Sequence, residues 1–218
     1  AVSSQEGDRE MQAGRWSAHS LAPASVEILP GVKRSSCSYA INDRGSVIGT
    51  MGEGNNHLAK AFLWSHAGEV RELPTLGGSQ IVPADINNRE EIVGSCRRAD
   101  GKWRAFLWTP ETGISDLGSL AQDSESFAHA ISEHGWVVGM SVAGDGRPHP
   151  YLWRQGSRMM DLGLPSGYAR GDAIDGNATG DVIISFSNRG PTSKDGMEMQ
   201  GTPFLWTAAR GLQSLPER

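Results

Sequence analysis

The tetrad Ala61-Phe62-Leu63-Trp64 occurs in four versions along this chain of 218 residues. The other three versions are Ala105-Phe106-Leu107-Trp108, Pro150-Tyr151-Leu152-Trp153 and Pro203-Phe204-Leu205-Trp206. In every copy a leucine follows the tryptophan nine residues later, at Leu73, Leu117, Leu162 and Leu215. The constant spacing indicates one structural unit that is repeated four times.

Each copy also carries an apolar segment upstream of the tetrad. Its isoleucines are Ile41, Ile86, Ile131 and Ile174, at spacings of 45, 45 and 43 residues. This period is typical of four-stranded propeller blades. Short apolar runs bounded by turn-forming residues predict four strands per copy, and in the first copy these runs are 37–41, 46–50, 60–64 and 69–73. We therefore predict an all-β fold, a β-propeller of about four four-stranded blades.

The repeats divide the chain into a polar amino-terminal segment, 1–25, and a single repeat domain, 26–218. The predicted repeats are at about 30–74, 75–118, 119–163 and 164–216. Val26-Glu27-Ile28-Leu29-Pro30 resembles the last strand of the first copy, Val70-Arg71-Glu72-Leu73-Pro74. It either joins the carboxy-terminal blade as a closing strand or, with residues 15–21, forms a partial fifth blade. We favour the closing strand, although the spacing is compatible with both.

Composition excludes several classes of function. The net charge of −5 provides no basic surface for nucleic acid. No apolar run approaches the length of a membrane span. No nucleophile elbow, phosphate-binding glycine loop or dinucleotide fingerprint is present, so we expect no cofactor. The polar start at Ala1 without an initiator methionine suits a mature exported protein or a trimmed chain.

Two cysteines, Cys37 and Cys96, lie in different strands of adjacent repeats. In an exported protein they could form a disulfide between neighbouring blades. Two separate thiols are the favoured interpretation, because a disulfide needs a Cα separation within roughly 7 Å.

The repeat pattern resembles that of the HAF family of bacterial extracellular repeats. The similarity is carried best by Ile41 to Gly49, Ala61 to Trp64, Ala105 to Trp108 and Asp116-Leu117-Gly118-Ser119-Leu120, and it covers roughly residues 26–216. It implies export, to the periplasm or the outside of the cell, and a propeller-like fold, but no particular activity. The chain departs from the pattern at Glu90, which replaces a turn glycine. In the fourth copy, an insertion is expected around Asp175 to Gly180 and a longer polar one from Asn188 to Gly201.

Positions at which the copies differ are the best candidates for function, since the shared positions are explained by the core. Two places before the isoleucine, Tyr39, Ala84, His129 and Asp172 align, and one place before it Asp85 replaces an alanine. If all units point the same way, these side chains surround one end of the propeller axis, which is a usual place for a ligand. The candidate ligand-binding residues are Tyr39, Asp85, Trp103, His129, His134, Trp136, Tyr168 and Asp172.

Three functions remain open from the sequence. The leading hypothesis is an exported propeller that binds a saccharide or another small molecule at one end of its axis. The second is an acid-base enzyme, such as a lyase, cyclase or hydrolase, with His129, Asp85 and Asp172 as catalytic residues. The third is a scaffold whose 188–201 insertion binds a partner protein. For the off-pattern aromatic residues packing is the favoured interpretation, and the oligomeric state is not determined by the sequence.

A metal site is not expected. Asp175 to Asp181 places oxygen-bearing side chains at alternate positions, as calcium loops do, but the twelfth position is Phe186 and not a glutamate. The six histidines show no ligand-like pair spacing on one strand.

Overall fold

A computed structural model describes residues 14–15, 27–28, 36–52, 60–188 and 201–215. These residues form eighteen β-strands and no helix. Four of the sheets are antiparallel and have four strands each, in the order in which the strands follow along the chain. The predictions of an all-β fold and of four four-stranded blades are confirmed.

The four blades are consecutive in the chain. Blade 1 consists of β3 (Ser36–Ile41), β4 (Val47–Met51), β5 (Lys60–Trp64) and β6 (Val70–Glu72). Blade 2 consists of β7 (Gly77–Ile86), β8 (Ile92–Arg98), β9 (Trp103–Thr109) and β10 (Gly113–Asp116). Blade 3 consists of β11 (Ser126–Ile131), β12 (Val137–Val142), β13 (Pro148–Trp153) and β14 (Met160–Asp161). Blade 4 consists of β15 (Arg170–Gly176), β16 (Val182–Ser187), β17 (Thr202–Thr207) and β18 (Gly211–Ser214).

The same tight turn joins the first two strands of every blade. The N–H of Asn42 donates to the carbonyl of Ser46 over 3.1 Å, and the equivalent bonds join Asn87 to Glu91, Ser132 to Trp136 and Asn177 to Asp181. The fourth of the five turn residues has a positive φ in each blade and is glycine in three of them, while Glu90 adopts a φ of 59° in blade 2. The turn therefore requires the left-handed conformation that glycine adopts most easily.

These turns correct the sequence alignment of the fourth copy. Gly176 pairs with Val182 in blade 4 as Ile131 pairs with Val137 in blade 3. Gly176, and not Ile174, is therefore the counterpart of Ile131. The alignment was wrong by two residues in this copy, and the turn there has the same length as in the other blades, without the insertion expected around 175–180. As a result Asp175 is the counterpart of Asp85, and Asp172 does not align with His129.

A glycine in the second strand of blades 1 to 3 faces a bulge in the first strand. A Cβ at Gly49 would lie 2.0 Å from the carbonyl oxygen of Cys37, and the same conflict occurs at Gly94 and Gly139. The first strand shifts register there, for example between Ser38 and Ala40. The repeated glycines thus allow the bulged strand to approach closely.

Each blade packs on the next along the chain. The apolar cluster between blades 1 and 2 includes Leu63, Ile86 and Trp108, and equivalent clusters lie between blades 2 and 3 and between blades 3 and 4. No comparable packing joins blade 4 to blade 1 among the described strands. The four sheets therefore form a sequential series that is not closed.

Side-chain amides also connect neighbouring turns. The Asn42 Nδ2 atom donates to the carbonyl of Asn87 over 3.0 Å, and the Asn87 Nδ2 atom donates to the carbonyl of Ser132 over 3.3 Å. Both asparagines are buried. The turn asparagines therefore hold blades together as well as shaping their own turns.

The amino-terminal strands β1 (Gly14–Arg15) and β2 (Glu27–Ile28) pair with each other. The favoured closing strand is thus not observed, since β2 pairs with β1 and the last sheet consists of β15 to β18 alone. Arg15 lies opposite Glu27 as Leu63 lies opposite Arg71 in blade 1. This register matches the other alternative, a partial fifth blade that supplies the third and fourth strands. The polar segment 1–25 lies otherwise outside the described residues.

Both cysteines are free thiols, with Cys37 exposed and Cys96 buried. Burial raises the pKa of Cys96 to about 11, which keeps it protonated and unreactive at neutral pH. In the described part of the chain, no helix could cross a membrane.

Candidate functional site

Asp85 lies at the junction between blades 2 and 3. Its Oδ2 atom accepts a hydrogen bond from the N–H of Ile131 over 2.9 Å, and its Oδ1 atom accepts one from the N–H of Ile86 over 2.8 Å. Burial raises the pKa of Asp85, and the nearby carboxylates of Asp175 and Glu133 add to this rise while the two N–H groups oppose it. Both oxygens are therefore occupied by backbone groups, one of them in the next blade.

The other two proposed catalytic residues have separate partners. The Nδ1 atom of His129 donates to the carbonyl of Ala173 in blade 4 over 3.0 Å. Asp172 is buried and binds the guanidinium of Arg170 through both oxygens, over 2.8 and 2.9 Å. No hydrogen bond within the described ranges joins any two of these three side chains. The geometry thus gives each of them a structural partner.

Three of the candidate aromatic residues lie apart from one another. Tyr39 is 49 % exposed on the first strand of blade 1. Trp103 packs beside Phe127, with ring centroids 6.0 Å apart, and the guanidinium of Arg97 lies over its ring. Tyr168 packs against Phe186 at the edge of the core between blades 3 and 4.

The remaining two candidates, His134 and Trp136, line a cleft of about 350 Å³ at one end of the blades. The cleft lies where the turns between first and second strands and between third and fourth strands are found. Its other lining residues are Arg89, Glu91, Leu107, Ile131, Gly135, Trp153, Arg154, Gln155 and Ala178. The cleft combines two indoles and a few aliphatic side chains with a larger share of polar and charged groups, and its volume is sufficient for a small molecule.

Two departures from the repeat accompany this cleft. Trp136 occupies the last position of its turn, where the other blades have Ser46, Glu91 and Asp181. Trp153 is the tryptophan of the repeated tetrad and is half-buried, as Trp206 of blade 4 is, whereas Trp64 and Trp108 are 2 % and 4 % exposed.

The preceding blade explains the exposure of Trp153. Arg71 of blade 1 lies over the ring of Trp108, 5.9 Å from its centroid. The residue of blade 2 in the same register is Ser115, which pairs with Leu107 as Arg71 pairs with Leu63. Because serine is too short to cover an indole, the Trp153 ring remains accessible from the cleft.

Two of the charged side chains that line the cleft, Arg89 and Glu91, pair with each other. Arg89 binds the Glu91 carboxylate over 2.6 Å and also donates to the carbonyl of Glu133. Glu91 accepts a further bond from the Asn87 Nδ2 atom over 2.6 Å. Arg154 differs, because its guanidinium lies 5.2 Å from the Trp136 ring centroid and has no hydrogen-bonding or ionic partner among the described side chains.

The described residues contain no group of three or more His, Cys, Asp or Glu side chains that could hold a metal ion. In the segment that resembles a calcium loop, Asn177, Thr179 and Asp181 bond to one another, for example from the Asn177 Nδ2 atom to the Asp181 Oδ2 atom over 3.0 Å. These contacts stabilise the turn.

Comparison with known proteins was made for the whole chain. No protein-family model matches it. No curated protein matches its sequence either. The cleft must therefore be interpreted from its own residues.

Sequence reasoning missed Trp153, Arg154, Arg89 and Glu91 as lining residues. Trp153 was assigned to the core because it belongs to the repeated tetrad. The signal that could have identified it is the residue in the register of Arg71, since an arginine there becomes Ser115 in the next copy. A repeated residue can thus be exposed by a change in its neighbour.

Proposed function

We propose that this chain is an exported, propeller-like module that binds a saccharide in the cleft between blades 2, 3 and 4. The half-buried ring of Trp153 on the cleft is the observation that carries the proposal, since the same tryptophan is buried in blades 1 and 2. Trp136 lines the same cleft, with the Arg154 guanidinium over its ring. Rigid aromatic faces beside polar groups suit the mixed apolar and hydroxylated faces of a sugar ring. The resemblance to bacterial extracellular repeats supports export.

Saccharide binding can be tested with Trp136→Ser, which restores the residue that blade 1 has at this turn position. We expect glycan affinity, measured by isothermal titration calorimetry against a panel of oligosaccharides, to fall by at least about tenfold. Trp103→Phe is the matched control, because Trp103 is half-buried but lies outside the cleft. Binding that survives Trp136→Ser and is lost in Trp103→Phe would place the site elsewhere.

Ser115→Arg provides a second test, since it copies onto blade 2 the arginine that covers Trp108 from blade 1. The variant should fold as the natural chain does, because blade 1 already carries arginine in this register. We expect the added side chain to cover Trp153 and to abolish binding. Unchanged affinity in a folded Ser115→Arg variant would show that Trp153 does not contact the ligand.

A further inference from the structure

We propose that the saccharide carries a carboxylate, as a uronic acid does, and that Arg154 binds this group. The inference rests on the proposed function and specifies the chemical class of its ligand. It depends on the distribution of charge around the cleft.

Two of the charged side chains around the cleft compensate each other. Glu91 lies 2.6 Å from Arg89, and Arg89 also donates to the Glu133 carbonyl. Glu91 is further satisfied by Asn87. The acidic group on the wall is therefore neutralised by a neighbouring base, and it does not repel an anion strongly.

Arg154 carries a positive charge that no described carboxylate compensates. Its guanidinium stacks on Trp136, and no carboxylate in the described ranges pairs with it. Because its guanidinium N–H groups have no partner among the described residues, they can donate to an acceptor in the cleft that Arg154 lines. The planar fork of N–H donors matches the two oxygens of a carboxylate. The chain as a whole carries a net charge of −5, so this local positive charge is not a general property of its surface.

Arg154 lies beside the two indoles, so a sugar that contacts an indole could carry the anionic group that Arg154 binds. Trp136, Trp153 and Arg154 all line the same cleft. A pyranose ring resting on Trp153 would place an equatorial carboxylate at the rim of that indole, on the side of the cleft that Arg154 also lines. A single arginine balances the single charge of a carboxylate, whereas a phosphate monoester carries nearly two charges at neutral pH and needs a second base to balance it.

The test compares matched sugars on the intact chain. Oligosaccharides of galacturonic acid and of galactose, and of glucuronic acid and of glucose, are titrated by calorimetry at low and at moderate salt. We expect tighter binding of the acidic member of a pair. Arg154→Ala should lower its affinity by about 10- to 100-fold, since a hydrogen-bonded charge pair is lost, and should leave the neutral member almost unaffected.

Two further variants distinguish bidentate hydrogen bonding by the Arg154 guanidinium from a non-specific effect of positive charge. Arg154→Lys keeps the charge but loses the bidentate geometry, so we expect an intermediate affinity for the uronate. Arg158→Ala is the matched control, because Arg158 is exposed in the same hairpin but does not line the cleft. Equal losses in Arg154→Ala and Arg158→Ala would overturn the assignment to Arg154.

The remaining outcomes are also decisive. Equal affinity for the acidic and neutral sugars, with both lost in Trp136→Ser, would overturn the carboxylate and leave the proposed function standing. Stronger binding of sulfated or phosphorylated sugars than of uronates would likewise overturn the carboxylate. Absence of binding to every sugar by a folded chain would overturn both proposals.

Discussion

The outward face of blade 4 and the buried faces between blades carry the same residue types at the same register positions. Ile48, Val93 and Val138 are at most 1 % exposed, whereas their counterpart Ile183 is 49 % exposed. Leu73, Leu117 and Leu162 are at most 7 % exposed, whereas Leu215 is 40 % exposed. In the first three blades the next blade covers this face. The comparison shows that the repeat determines which positions are apolar, while the neighbouring blade determines whether they are buried.

The largest expected effect comes from shortening one leucine on each kind of face. Leu162→Ala removes a side chain from the cluster between blades 3 and 4 and should lower the free energy of unfolding by about 2–5 kcal/mol. Leu215→Ala should change it by less than about 1 kcal/mol, because the side chain is already partly in water. Urea denaturation of both variants measures the difference. Equal losses would mean that the outward face of blade 4 is covered in solution.

One buried face contains an unsatisfied polar group, the hydroxyl of Tyr151 at the junction of blades 2 and 3. This hydroxyl is buried without a hydrogen-bonding partner, and burial raises the pKa of Tyr151 above its ordinary value. The counterparts in blades 1 and 2 are Phe62 and Phe106. We expect Tyr151→Phe to raise the free energy of unfolding by about 1–3 kcal/mol.

Phe106→Tyr is the reciprocal control for this effect, and thermal and urea unfolding should show a loss of similar size. An unchanged stability in Tyr151→Phe would indicate that a buried water satisfies the hydroxyl in solution.

Asp85 and Asp175 extend the comparison to a polar position. Each accepts a bond from the N–H of the next residue, but Asp85 also accepts one from Ile131 of the following blade. Asp85→Ala leaves that buried N–H without an acceptor and should cost about 1–3 kcal/mol at pH 4. Asp175→Ala should change stability by less than about 0.5 kcal/mol, since Asp175 is exposed.

The cost of Asp85→Ala should also depend on pH. Because burial raises the pKa of Asp85, the folded chain binds this proton more tightly than the unfolded chain does. The stability that the Asp85 carboxyl contributes is fully present below its pKa in the unfolded chain. This contribution is lost as the pH rises through its pKa in the folded chain. The difference in the free energy of unfolding between the natural chain and the variant should therefore decrease from pH 4 to pH 7. Urea unfolding at each pH measures it. An increase over this range would contradict the raised pKa.

Much of the fold could be predicted because the repeats share turns and strand ends. The tetrads and the leucines nine residues later gave the register of the third and fourth strands in all blades. Alignment on isoleucine failed in blade 4 because Gly176 takes that position and Ile174 lies two residues earlier. An asparagine that shapes its own turn, such as Asn177, is a better marker there, since the turn geometry restricts it more than packing restricts an apolar side chain.

The candidate site was only partly predictable for a related reason. Trp136 could be recognised because it differs from its counterparts in the other copies. Trp153 could not, because it is identical to Trp64 and Trp108, and its exposure depends on Ser115 in another blade. A contact between two blades depends on residues at two different positions of the repeat. An alignment that compares one position at a time does not reveal such a contact.

The bonds that join neighbouring turns have a consequence for how the chain avoids misassembly. Blades 1 and 2 are connected by the Asn42 amide, blades 2 and 3 by the Asn87 amide and the Asp85 carboxylate, and blades 3 and 4 by the His129 imidazole. Similar repeats risk exchanging partners during folding, within one chain or between two chains. The Asn42 and Asn87 amides make the same bond at two junctions, whereas the Asp85 carboxylate bonds across one junction and the His129 imidazole across another. A blade that meets the wrong neighbour can leave one of these two side chains without its partner, so these two bonds favour the observed order of blades 2, 3 and 4.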